Sequence, residues 1–160
     1  MNDPNSSVAR VRNALLAANH ADTISEFPDG TRTAQDAANA VGCTVAQIAK
    51  SIVLRAGDEV VLVIASGANR IDTGKVAALI GRAVKPAEGR WVRDTTGFAI
   101  GGVAPLGHAI KPHVLIDRDL LTCDPVWAAA GSPRHVFRTT AQDLVRLSGG
   151  KVADVREDKA

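Results

Sequence analysis

Three glycines and a proline fall within eight positions in Gly101-Gly102-Val103-Ala104-Pro105-Leu106-Gly107-His108, directly after the apolar run Phe98-Ala99-Ile100. With no side chains in the way, backbone N–H groups of such a loop can approach a ligand oxygen and form a preorganised nest for negative charge. The same composition also builds a tight turn between two strands. The loop is neither of the familiar nucleotide signatures. A P-loop needs Lys and then Ser or Thr after its last glycine, where His108-Ala109 stands, and Pro105 breaks the GxGxxG dinucleotide pattern. ATP and NAD are not the expected ligands.

Lys50 is the second candidate. Strand alternation places it on the face of Ile52 and Leu54, where an ammonium group needs an anion. The competing reading is a lysine that complements a helix C-terminus. Ser66-Gly67-Ala68-Asn69 follows an apolar run and is either a helix-capping loop or a pocket wall, with Ser66 and Asn69 as hydrogen-bonding groups. Gly131-Ser132-Pro133-Arg134-His135 has the same two readings. His20, His108, His113 and His135 show no metal-ligand spacing and no GxSxG elbow, so no Ser, His and acid arrangement is expected. Cys43 and Cys123 lie far apart without a CxxC pattern, which predicts inert buried thiols rather than zinc or a disulfide.

These residues need elements to hold them. Ser7 caps a helix with Val8, Val11 and Leu15 on one side, and Thr33 opens a second ending at Gly42. Residues 22–32, with Pro28-Asp29-Gly30, are expected to be extended and broken by a turn. Thr44 and Gln47 make a capping box leading into Lys50-Ser51-Ile52-Val53-Leu54-Arg55. That run and residues 60–65 predict a hairpin of buried strands across Ala56-Gly57-Asp58-Glu59. A helix capped at Asp72 or Thr73 and ended by Gly81, an edge strand at 84–86 and a helical turn around Trp91 follow. Short apolar runs at 98–100, 114–116, 127–130 and 136–138 come next. A last helix from Thr140 to Gly149 leaves residues 151–160 as a polar tail. Strands in runs, with helices at the ends and in the middle, predict α+β: one domain over 1–150, its mixed, mostly antiparallel sheet curling toward a barrel.

The order and spacing of Thr33-Ala34-Gln35-Asp36-Ala37-Ala38, Ile48-Ala49-Lys50-Ser51-Ile52-Val53-Leu54, Ile71-Asp72 and the Gly101 to Gly107 loop resemble the YbaK family, also called the prolyl-tRNA synthetase-associated editing family. The resemblance implies a free-standing aminoacyl-tRNA deacylase without metal or organic cofactor. It would remove small residues such as alanine or cysteine from mischarged tRNA for proline, or act on related mischarges. It places the family's lysine on Lys50 and its glycine loop on Gly101, Gly102, Pro105 and Gly107. An aminoacyl ester is already activated, so positioning and oxyanion stabilisation suffice without a triad. Ser66, Asn69, His108, Ser132 and His135 are the candidates for the remaining substrate contacts. The implied partners are the 3′ end of an aminoacylated tRNA and an aminoacyl-tRNA synthetase. The alternative is a noncatalytic module of the same fold that binds a tRNA end or a synthetase.

Bulk properties set the outer bounds. The 160 residues are 46% hydrophobic and 22% charged, enough for one self-supporting core. A net charge of +2 argues against a general polyanion or DNA binder, although Arg82, Lys85, Arg90 and Arg93 are candidates for a local basic rim. Only 3% of residues are aromatic and none is tyrosine, so the stacking platforms of single-strand RNA readers are missing. No signal segment or long apolar span is evident, and a cytoplasmic protein without membrane contact is expected.

Overall fold

The computed structural model describes residues 6–27, 30 and 33–158. The expected turn at Pro28-Asp29 and the residues Thr31 and Arg32 lie outside the described residues. Helix α1 (Ser7–Ala17) is capped by Ser6, one residue before the expected cap, whose hydroxyl accepts from the Ala9 N–H at 3.1 Å. It buries Val11 and Leu15. After the short strand β1 (Ile24–Glu26), Thr33 caps α2 (Ala34–Val41), and Gly42 ends it at φ 77°. The Thr44–Gln47 capping box then starts a 3₁₀ turn that feeds β2 (Ile48–Ala56).

β2 and β3 (Glu59–Ser66) form the predicted hairpin, in register from Ala49↔Ser66 to Ala56↔Glu59. β3 is the spine of the core. It lies between β2 and β5 (His113–Asp117), and Val61 to Ala65 have no exposure at all. Alternation splits its side chains. Leu62 and Ile64 join the cluster of Val11, Leu15 and Phe98, while Val61 and Val63 pack with Leu54 and with Val76 of α3 (Thr73–Ile80).

β4 (Lys85–Pro86) pairs with the far end of β2, and α4 (Gly89–Thr96) follows it. A 3₁₀ turn at Arg118–Thr122 follows β5 and buries Leu120. β6 (Val126–Ser132) and β7 (His135–Thr139) form a second hairpin, followed by α5 (Ala141–Ser148), which Thr140 caps. The strand order is β1-β7-β6-β2-β3-β5-β8, with β4 beside β2. The sheet mixes antiparallel hairpins with the parallel pairs β2·β6, β3·β5 and β5·β8, as expected for α+β. It does not close into a barrel, since β1 and β8 remain separate edges.

Two expectations about local structure need correction. Residues 98–100 form no strand: Phe98 is fully buried beneath α1, whereas Ile100 is 59% exposed. Residues 151–160 are more than a polar tail. β8 (Lys151–Ala153) pairs with β5, Val155 is fully buried, and the N–H groups of Asp72 and Glu157 bind the carbonyls of Val155 and Arg70 at 2.8 Å. One valine in a charged segment supplies the apolar anchor that average polarity conceals. Among the described residues no helix is long and apolar enough to cross a membrane.

Candidate active site

β2 has a gap on one edge. It pairs with β6 only at Ile48↔Trp127 and Ala49↔Ala128, and with β4 only at Leu54 and Arg55. Between these contacts residues 50–53 have no strand partner on that side among the described residues. β6 diverges there because a bulge between Ala129 and Ser132 bends it. A cavity of about 300 Å³ opens in this gap, at the small end of ligand-binding volumes. Ile48 to Ser51 of β2 line one wall, and Ala128, Ala129, Ser132, His135 and Val136 of the second hairpin line another. Thr33, Ala34 and Ala37 from α2 add small side chains, and Ile100, Gly101 and Val103 complete the enclosure.

Lys50 is half-buried in this lining, and its ammonium forms no hydrogen bond or ion pair with any described residue. Burial pushes its pKa down, the positive charge of Arg70 adds to this, and Asp117 opposes it. The charged form is therefore held against a desolvation cost, the state in which a lysine gains most from an anionic ligand. The neighbouring Ser51 hydroxyl is buried with no partner among the described residues.

The glycine loop meets the same cavity at its first residue. Gly101 (φ 90°) lies against Pro133, where an added Cβ would be 3.6 Å from the proline ring. At Gly102 a Cβ would stand 2.6 Å from the Ser132 Cα, so the missing side chain lets loop and hairpin backbones touch. The Gly102 N–H donates to the Ala99 carbonyl at 3.0 Å. That bond occupies the Gly102 donor expected for an oxyanion, leaving Gly101 as the loop glycine on the cavity.

Other sequence candidates are placed elsewhere. Pro105 is buried, Gly107 packs against the Arg10 backbone, and His108 donates to the Ala104 carbonyl at 2.6 Å with its ring edge-on to Phe98. These three do not line the cavity; they seat the loop on α1. The Ser66 hydroxyl donates to the Ala46 carbonyl at 2.9 Å, and Asn69 donates to both Asp117 and Asp119 at 2.8 Å. The Ser66 backbone N–H, at 3.1 Å, and the Asn69 amide both donate to Asp117 Oδ2, the buried carboxylate whose charge reaches Lys50. Cys43 and Cys123 are half-buried rather than buried. Burial and the nearby Cys123 push the Cys43 thiol up. Arg82 pairs with Glu59, and Lys85, Arg90 and Arg93 are exposed.

Contrary to the sequence reading, a serine, a histidine and a carboxylate do come together. Ser132 Oγ lies 2.6 Å from His135 Nδ1, and His135 Nε2 lies 3.2 Å from Glu26 Oε2. Sequence spacing hides this because Glu26 arrives from β1 across the sheet. Ser51 left a signal, a hydroxyl beside Lys50 in a strand whose other polar residue is Arg55.

Comparison with known proteins places the fold. The chain is 33% identical over 154 residues to the uncharacterized protein YwhH of Bacillus subtilis (strain 168), covering 95% of this chain and 98% of that one. It is similar in structure to "a putative trans-editing enzyme for prolyl tRNA synthetase", with a TM-score of 0.91 and 43% identity over 99% of this chain and 100% of that one. The hypothetical protein APE2540 is also similar, at a TM-score of 0.85 and 26% identity, covering 92% and 99% of the two chains. Residues 28–147, from the approach to α2 through α5, match the family described as the aminoacyl-tRNA editing domain. With that match spanning the cavity, its lysine and its glycine loop, the chain belongs to the aminoacyl-tRNA editing domain family.

Proposed function

We propose that this protein is a free-standing aminoacyl-tRNA deacylase that hydrolyses the ester of mischarged tRNA in trans. Its substrates are small residues such as alanine or cysteine on tRNA for proline, or related mischarges; the choice of tRNA follows the 43% identical neighbour, "a putative trans-editing enzyme for prolyl tRNA synthetase". The observation that carries the reading is the ammonium of Lys50, without a hydrogen-bond or ion-pair partner among the described residues, on a small cavity shared with Gly101. Lys50 fixes the terminal adenosine or its phosphate as a point charge, and the Gly101 N–H is directed at the ester carbonyl oxygen. A ribose hydroxyl of the tRNA end orients the attacking water. The alanines of α2 and β6 limit the side chain admitted, a steric sieve against larger cognate residues. One methylene is worth only about 1–3 kcal/mol to a binding pocket, which is why a separate hydrolytic site is useful.

The test is a panel of mischarged tRNAs at catalytic enzyme concentration. Turnover of small mischarges is expected, with Lys50→Met slowing it by about 100-fold or more. Because burial disfavours the ammonium, Lys50→Met melts no lower than the wild type. Saturable binding with the ester left intact would replace the deacylase with a noncatalytic tRNA-end binder. Full activity in Lys50→Met would remove the lysine from the mechanism.

A further inference from the structure

The register of three strands sets Glu26 opposite His135, and His135 opposite Ser132. Cross-strand partners share a face, so the row is built by the backbone before any side chain chooses a rotamer. The hydrogen-bond inventory then fixes the direction of each bond. A carboxylate only accepts, so the His135 Nε2 that faces Glu26 at 3.2 Å carries the hydrogen. In the neutral form of the ring, Nδ1 then carries a lone pair. The proton in the 2.6 Å contact comes from Ser132, whose hydroxyl donates.

Ser132 Oγ also accepts from the Arg134 N–H at 3.0 Å. One of its two lone pairs is thus used, its proton is committed, and the second lone pair is left for a ligand in the cavity that Ser132 lines. Ser132 therefore meets the ligand as an acceptor, with a carboxylate behind it through the imidazole. The cavity is polarised, with the Lys50 cation on one wall and this acceptor on another.

An aminoacyl ester carries a donor suited to that acceptor, its α-ammonium group. Resting on the deacylase reading, we propose that Ser132 binds the free α-ammonium of the aminoacyl group, with His135 and Glu26 as positioning residues that hold it in the accepting state. The site then discriminates against esters whose nitrogen is acylated.

Binding of a non-hydrolysable, amide-linked alanyl-adenosine end tests this, with the amine free or N-acetylated. The wild type is expected to prefer the free amine by roughly 10- to 100-fold, the scale of one charge-assisted hydrogen bond. Ser132→Ala and His135→Phe should shrink that ratio to within a few-fold, and Ser132→Thr, which keeps the hydroxyl, should retain it. A strut role in the hairpin would weaken both analogues equally and leave the ratio unchanged, which overturns the proposal. Equal affinity of the wild type for the two analogues does the same. Because the amide is not cleaved, amine preference together with failure to hydrolyse mischarged tRNA would sink the deacylase reading alone. Absence of binding by either analogue would sink both.

Discussion

A half-buried lysine whose ammonium has no hydrogen-bond or ion-pair partner among the described residues and a histidine held by a backbone carbonyl show how one chain uses burial in two ways. Lys50 lines the cavity, while His108 is fixed in place as part of the scaffold. Its Nε2 donates to Ala104, its ring packs on Phe98 at 5.1 Å, and its Nδ1 is buried without a partner among the described residues. Burial, the largest cause, lowers the His108 pKa; the Ala104 bond opposes this, and the charge of Arg10 adds to it. The unfolded chain takes up this proton near the ordinary histidine value of about 6.5, whereas the folded chain resists until lower pH. Between those values the unfolded state binds more protons, so stability is complete above pH about 6.5 and falls as the medium is acidified. Urea midpoints measured from neutral to mildly acid pH should decline in the wild type and decline less in His108→Gln, which keeps a donor for Ala104. Parallel declines would assign the acid sensitivity to other groups.

At the scale of elements, the C-terminal segment is where composition and packing disagree most. Lys75 of α3 binds Asp154 at 3.0 Å and Asp158 at 2.9 Å, Arg156 binds Asp119 at 2.7 Å, and Val155 fills the space beside Val76 and Leu115. The exposed ion pairs are worth little each. The buried valine and the β5·β8 ladder carry the energy. Ending the chain after Gly150 is expected to cost about 2 kcal/mol or more in urea unfolding, with Val155→Asp showing a loss of similar size. An unchanged midpoint on truncation would return the segment to the status of a tail. The β2–β3 hairpin, by contrast, was legible because its partners adjoin in sequence and its β-branched run is continuous. The caps at Thr33 and Thr140 were legible for the same local reason. That β6 lies beside β2, and that Glu26 meets His135, depend on pairings from Ile48 to Trp127 and from Glu26 to His135, distant in the chain, which no local pattern encodes. Lys50 and Gly101 could be named from the chain because their types are unusual in their settings. Ser66, Asn69 and His108 have the same outward character, and only the fold shows that their polar atoms are turned to neighbouring backbone and carboxylates.

For the molecule as a whole, the distribution of charge decides how much of a tRNA it can hold. Of the chain's 19 Lys and Arg, many are already neutralised internally: Arg12 by Asp22, Arg82 by Glu59, Arg118 by Asp154 and Arg146 by Asp143, besides the C-terminal pairs. Arg10 is turned inward, over Phe98 and onto the Gly97 carbonyl. The cavity lies in a break in the sheet, and Ile100, an exposed apolar residue, is part of its lining. That geometry suits insertion of a single-stranded end more than a grip along a stem. Each phosphate neutralised on a single strand contributes about −0.7 to the slope of log affinity against log salt. With contacts confined to the terminal nucleotides, a non-hydrolysable aminoacyl-tRNA should bind with a slope of about −2, and Lys50→Met should make it shallower by about 0.7. A slope of about −6 or steeper, unchanged in Lys50→Met, would mean that the exposed arginines of α4 and their neighbours hold the acceptor stem, and that the lysine in the gap contributes no phosphate contact.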